Sequence, residues 1–258
     1  MTWNEASGTV SQTFDSWRAT DAQNRACLRL SAEWSNAAYD RTWKEAEASF
    51  TAVFDPDRHH GDEHVDMFDH AVDGLWPSDY LWLSEASVLK AGVTAFEVYL
   101  EQALQEVLKG YRVTVDGQKC ALRLVTPKNF ESPGWGTLVK AHAVLKNEVD
   151  TAEVMWAREL RHLLTHQNGE LRTQGAALEK FRDAEAEAGR EEIDRAYVGG
   201  KVHLGAERVL RTLDALASVV RAADPAVWSF VWGPGRGEDC MGALAELEQG
   251  KLIEAAAT

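Results

Sequence analysis

The sequence predicts an all-α fold: a helical bundle with a small β-hairpin insertion and extra helices at its N-terminus. Three observations predict it. Apolar residues recur at helical spacing through most of the 258 residues. The periodic runs are separated by residues that start or stop helices, such as Ser78, Gly110, Thr151 and Asn168-Gly169. One short stretch alone, YRVTVDGQKCALRLV from residue 111, alternates with period two around a turn signal, Asp116-Gly117.

Residues 9–53 read as helix. Phe14, Trp17, Leu28, Leu30, Trp34, Tyr39, Trp43, Phe50 and Val53 repeat at helical intervals, with a break expected near Thr20–Asp21 and an end at Asp55-Pro56. Residues 55–77 are polar, acidic and rich in histidine. Ser78 is the expected N-cap of a long helix whose apolar face runs from Leu81 to Leu108, with Gly110 closing it. Two short strands follow, then a helix over 134–147. Asp150 or Thr151 caps the next helix, which carries Val154, Ala157, Leu160 and Leu164 on one face. A charged, Ala-rich, exposed helix is expected over 174–196, and an amphipathic helix over 204–222 that Asp224-Pro225 ends. The tail holds VWSFVW, a Gly-rich turn and a short final helix. The organisation is an N-terminal helical extension (1–55), an acidic His-rich connection (56–77), a helical core (78–223) and a tail (224–258).

Charge and cysteine usage narrow the function. The formal net charge is −14, with 41 acids against 27 Lys and Arg. Broad electrostatic capture of nucleic acid needs clustered bases, so it is disfavoured, while a site for one or two phosphates is not. The acids concentrate between Asp55 and Glu106, where twelve face only Arg58 and Lys90. The signs nearly balance from Lys140 to Arg182. Three well-separated cysteines without a CxxC pair fit free thiols in a reducing compartment. No signal-peptide pattern and no apolar run of transmembrane length is read. The expectation is a soluble cytoplasmic protein that engages no membrane. Ten tryptophans should mostly be core anchors.

The chemistry-bearing stretch is RELRHLLTHQNGEL at 158–171. Arg161, His162 and His166 lie in the last turns of a helix. Arg161 and His166 are about 500° of turn apart, so they point roughly 140° away from one another on a regular helix. A shared site needs the last turn to unwind or a second chain to complete it. His162 and His166 stand one turn apart on one face. Three assignments fit these residue types. Solvated cations are favoured at a helix C-terminus. Zinc suits His-x-x-x-His, but Leu163 stands where a zinc protease needs Glu, and Glu159-x-x-His162 has no second copy to build a di-metal bundle. An Arg fork beside a proton-transferring His suits metal-free RNA cleavage, with Arg stabilising the phosphate charge and a two-fold dimer supplying a second pair.

Arg161-His162-Leu163-Leu164-Thr165-His166 resembles the R-x4–6-H signature of HEPN domains. The context is similar: AFEVYLEQAL at 95–104 resembles an earlier core helix of these proteins, and GGKVHLGAERVLRTLDAL from residue 199 resembles their last core segment in the abortive-infection and phage-defence branch. The resemblance spans roughly residues 78–223. It implies a HEPN-like all-α bundle, a homodimer with the motif in its cleft, and metal-independent endoribonuclease activity on an RNA substrate without a cofactor. Many such proteins act as toxins or in antiviral defence, with an antitoxin or defence-system partner. Others are inactive scaffolds or sensors that bind a partner protein or a nucleotide. Carried over, Arg161 would bind and stabilise phosphate, His166 would be the general base or acid, His162 would position or polarise, and Glu97 would orient Arg161 or His166. The strongly acidic surface departs from what RNA binding favours.

Two further stretches carry polar chemistry. RHHGDEHVDMFDH at 58–70 offers divalent-metal ligands, His60, His64 and His70 among them, but at spacings that match no established motif, so a solvated acidic loop is expected and metal is the alternative. WGPGRGEDCMG at 232–242 is Gly-rich but completes no phosphate-loop pattern, so a plain loop is expected. Trp228, Phe230 and Trp232 are expected to pack on the core.

Overall fold

The computed structural model describes residues 10–53, 77–171, 176–189, 200–232 and 238–256. Its elements run α1 (Gln12–Val53), α2 (Pro77–Lys109), β1 (Arg112–Val115), β2 (Gln118–Leu124), α3 (Trp135–Val144), α4 (Ala152–His166), α5 (Ala176–Glu187), α6 (Ala206–Val231), α7 (Glu238–Gln249) and β3 (Ile253–Ala256). The protein is mainly helical with one small antiparallel sheet, as the apolar periodicity predicts. No described helix is long and apolar enough to cross a membrane.

The centre of the molecule is α2, and its neighbours are oriented by residue pairs along it. Glu106 of α2 accepts hydrogen bonds from the backbone N–H groups of Gln12 and Thr13 at the start of α1, and Trp17 lies 6.2 Å from Tyr99, centroid to centroid. Thus α1 runs antiparallel to α2. Helix α6 runs parallel to it. Glu85 accepts from Gly205 N–H, Gly92 faces Leu213, and Tyr99 faces Val220 and Asp224. The approach at Gly92 is close: a Cβ there would stand 2.3 Å from Leu213 Cδ2. A side chain at this position would force the buried Leu213 side chain to move. Helix α4 is antiparallel to α2, with Arg161 beside Glu97 and Gly169 against Trp82. The apolar faces of these helices close around Leu89, Phe96, Leu100, Leu160, Trp156 and Leu216.

Several expectations are corrected. Helix α1 is continuous through Thr20–Asp21. Thr20 Oγ1 donates to Ser16 O and Asp21 pairs with Arg25 at i+4, so both polar residues are absorbed on the helix surface without breaking the ladder. Helix α2 starts at Pro77, which puts Ser78 inside the first turn instead of at the cap. Proline suits a first turn, because its missing N–H would have no helical partner there. Helix α5 is not simply exposed: Leu178, Phe181 and Ala184 are buried, and it packs on α4.

Helix α6 also passes through Asp224-Pro225 and ends at Val231. The Asp224 carboxylate is buried and accepts from both Ser11 N–H and Ser11 Oγ–H, tying α1 to α6. The buried Ala223 and Val227 hold the helix on the core on both sides of the proline. Beyond it Phe230 packs against the core, Trp228 is half-buried and Trp232 is 66% exposed. Among the described tryptophans Trp17 and Trp156 are buried and Trp82 and Trp135 pack against the core, while Trp34, Trp43 and Trp232 are exposed, so half of them anchor the core where most were expected to.

The hairpin forms as the sequence predicts. Val115 pairs with Gln118 across Asp116 and Gly117, whose φ angles are 51° and 82°. Both central residues take positive φ, the requirement for a two-residue turn matched to strand twist. The final helix is present as α7, but the chain then adds β3 to β2, giving the order β1-β2-β3. The Ala-rich end carries no strand pattern; Arg123–Glu254 and the backbone ladder impose it. Residues 58–70 and 233–237 lie outside the described residues, so the candidate ligands His60, His64 and His70 do as well.

Candidate functional site

Helix α4 presents the motif. Thr151 is its N-cap and its side-chain oxygen accepts from Val154 N–H, while Glu153 lies in the first turn against the helix dipole. Val154, Trp156, Ala157, Leu160, Leu163 and Leu164 fix which face is buried. Arg161 is thereby left at the edge of the buried face, and His162 and His166 are exposed.

The C-terminal end is fixed by backbone geometry. Gln167 N–H and Gly169 N–H both donate to Leu163 O, at 2.9 and 3.3 Å. Asn168 and Gly169 have φ of 51° and 72°, the left-handed conformation that closes a helix. A Cβ on Gly169 would lie 2.8 Å from Trp82 Cζ2. Trp82 Nε1–H donates to Val202 O at 2.8 Å, and Val202 N–H donates to Gly169 O at 2.8 Å. Glu170 pairs with Lys201 in an antiparallel bridge, and the Lys201 ammonium lies 4.5 Å from the centre of the Trp82 ring. The chain after His166 is therefore clamped between α2 and the segment leading into α6.

The helix is regular through His166. It does not unwind, so Arg161 and His166 keep the roughly 140° separation of an ideal helix. The structure brings His162 and His166 together instead: their ring centroids are 4.3 Å apart. Arg161 turns towards α2, where its guanidinium donates to Glu97 Oε2. Glu97 thus reaches Arg161, and His166 is not among its hydrogen-bond partners.

Two residues at this site were not picked out by sequence. Arg158 Nε–H donates to the other oxygen of Glu97 at 2.8 Å, and its guanidinium lies 3.8 Å above the Trp135 ring centre. Arg158, Arg161 and Glu97 are all partly exposed, at 21%, 33% and 22%. The spacing Arg158-x-x-Arg161 was a usable signal, since residues three apart share a helix face. Trp135 comes from the N-terminus of α3 and carried no such signal.

Other titratable groups are shifted by burial away from the motif. Burial raises Glu85, opposed by its hydrogen bonds from Gly205 and Ala206 N–H at the start of α6 and by His203. Burial likewise raises Asp224, against the hydrogen bonds from Ser11 and Tyr99. His142 is buried with Nε2 3.0 Å from Leu100 O, and burial lowers its pKa to about 4. These groups tie helices together.

Among the described residues no three His, Cys, Asp or Glu side chains are grouped to hold a metal ion. Two grooves, of about 640 and 550 Å³, lie between α3, α6 and α7 and between α1 and α2. Neither is lined by Arg161, His162, His166 or Glu97. Comparison of the chain with family models, with curated proteins and with solved structures finds no match.

Proposed function

We propose that the protein is a metal-independent, HEPN-type endoribonuclease that works as a homodimer, in phage defence or as a toxin. The observation that carries this reading is the end of α4. An exposed pair of imidazoles in tilted contact follows, on the same helix, an arginine whose guanidinium is oriented by a carboxylate from another helix. An imidazole takes or gives a proton near neutral pH, and an oriented guanidinium meets a phosphate through parallel N–H donors.

In the proposed reaction His166 removes the proton of a ribose 2′-OH. The 2′ oxygen attacks the adjacent phosphorus, and the bond to the 5′ oxygen breaks. A second imidazole returns a proton to that leaving oxygen. The products are a 2′,3′-cyclic phosphate and a 5′-hydroxyl end. Arg161 stabilises the negative charge that builds on the phosphorane oxygens, and His162 positions or polarises. On the regular α4 helix one chain does not converge Arg161 with His166, so the second chain of a two-fold dimer supplies the complementary pair.

The Arg161–Glu97 ion pair also favours a second reading, a catalytically silent scaffold or sensor. A guanidinium already matched within the chain can serve a binding cleft without chemistry. One assay separates the two. Purified protein incubated with RNA in EDTA is expected to yield fragments ending in 2′,3′-cyclic phosphate. Binding of a nucleotide or partner protein at the Arg161 cleft without any cleavage would favour the silent reading.

A further inference from the structure

Glu97 carries more positive charge than it can neutralise. Its two oxygens accept from two guanidinium groups, Arg158 and Arg161. The next carboxylate along α2, Glu101, accepts instead from Gln105 Nε2 at 2.9 Å. The hydrogen-bonded set of one carboxylate and two guanidiniums therefore holds one excess positive charge, in a chain whose net charge is −14. All three side chains are more than half covered, and two like charges held there repel each other. The arrangement is relieved when an anion joins it.

The donors left over suit that anion. Arg158 uses Nε on Glu97, which leaves both of its terminal amino groups. Arg161 uses one amino group and keeps the other and Nε. The Trp135 ring covers one face of the Arg158 guanidinium and restricts its rotation, while the two oxygens of Glu97 hold Arg158 and Arg161 at one place. Two forks fixed on one carboxylate form a clamp for a phosphate.

We propose that Arg158, held by Glu97 and Trp135, is a second phosphate-binding residue of this site, taking a phosphodiester of a single-stranded nucleic acid next to the one that Arg161 contacts. This rests on the RNA-cleaving reading for the identity of the ligand. The geometry at Glu97 carries it independently of whether cleavage follows.

The test uses the full chain and a single-stranded DNA oligonucleotide, which lacks the 2′-OH and so is not cut. Binding is titrated across a range of salt concentrations. Loss of one phosphate contact reduces the slope of log affinity against log salt by about 0.7. Arg158→Gln is expected to show that reduction, with affinity at low salt lowered about tenfold. Arg158→Lys keeps the charge and the slope but binds more weakly, because the fork is lost. Trp135→Leu weakens binding with the slope unchanged. A wild-type protein that does not bind the oligonucleotide at low salt overturns the proposal. So does a slope in Arg158→Gln equal to wild type, provided circular dichroism shows the variant folded. If Arg158→Gln does not fold, the Lys and Leu variants decide: affinities equal to wild type for both overturn it. RNA cleavage with an unaltered Arg158→Gln slope removes this proposal and leaves the ribonuclease reading standing. Arg158-dependent binding without RNA cleavage does the reverse.

Discussion

Glu97 on α2 accepts a hydrogen bond from Arg161 on α4, a residue 64 positions away in the chain. It is a polar link between the motif helix and the central helix, and Arg158 shares it. Replacing Glu97 by Ala leaves two partly buried guanidiniums facing each other. The expected loss of stability is about 1–3 kcal/mol, the usual cost of orphaning a charge-assisted hydrogen bond. Gln keeps one acceptor oxygen and is expected to cost less. Urea unfolding of both variants measures the difference.

The turn after His166 depends on glycine at 169. Its φ is 72°, and an added Cβ would meet the Trp82 ring at 2.8 Å and Leu164 Cδ2 at 3.1 Å. Gly169→Ala is expected to destabilise by about 1–3 kcal/mol through the strained backbone and the displaced indole. Hydrogen exchange should localise the effect to the last turn of α4 and the 200–202 segment. A variant with unchanged stability and exchange would show that Trp82 does not clamp this turn.

Acid stability should report on His142. Its ordinary pKa of 6.5 falls to about 4 when burial excludes the charged ring. The unfolded chain therefore binds a proton on this group at a pH where the folded one does not. Stability from it is present at neutral pH and is lost as pH falls from 6.5 towards 4. The loss between pH 7 and pH 5 is about 2 kcal/mol. Glu85 and Asp224 are raised, so they shift stability in the opposite sense, in favour of acid. The comparison of wild type with His142→Leu isolates the histidine: the variant should lose about 2 kcal/mol less over that interval. Equal losses in both would contradict the assignment.

Much of the helical order is legible in the sequence because each helix must bury one stripe. The Val154, Ala157, Leu160 and Leu164 spacing and the Thr151 cap are enough to locate α4. Asp116-Gly117 locates the hairpin because only such residues take positive φ twice in succession at low cost. What local signals miss is decided by partners distant in the chain. Asp224-Pro225 reads as a stop, yet α6 continues because Asp224 is buried against Ser11. The Ala-rich end becomes β3 because β2 offers it an edge.

The candidate site divides in the same way. His162 and His166 meet on one helix face as their spacing of four predicts. The Arg161–Glu97 pair was a family-guided expectation, and its geometry now has a partner in Arg158. Trp135 was invisible, since nothing local tells that the first residue of α3 will lie under an arginine of α4.

The most direct test of the central claim is a single-turnover RNA cleavage assay in EDTA, comparing wild type with Arg161→Ala, His166→Ala and the double variant. The account predicts cyclic phosphate ends from wild type and a rate at least about a hundredfold lower in each single variant, the scale on which a general acid or base contributes. The double variant should fall little further, because the two groups act in one site. Wild-type activity that persists unchanged in the double variant would contradict the account.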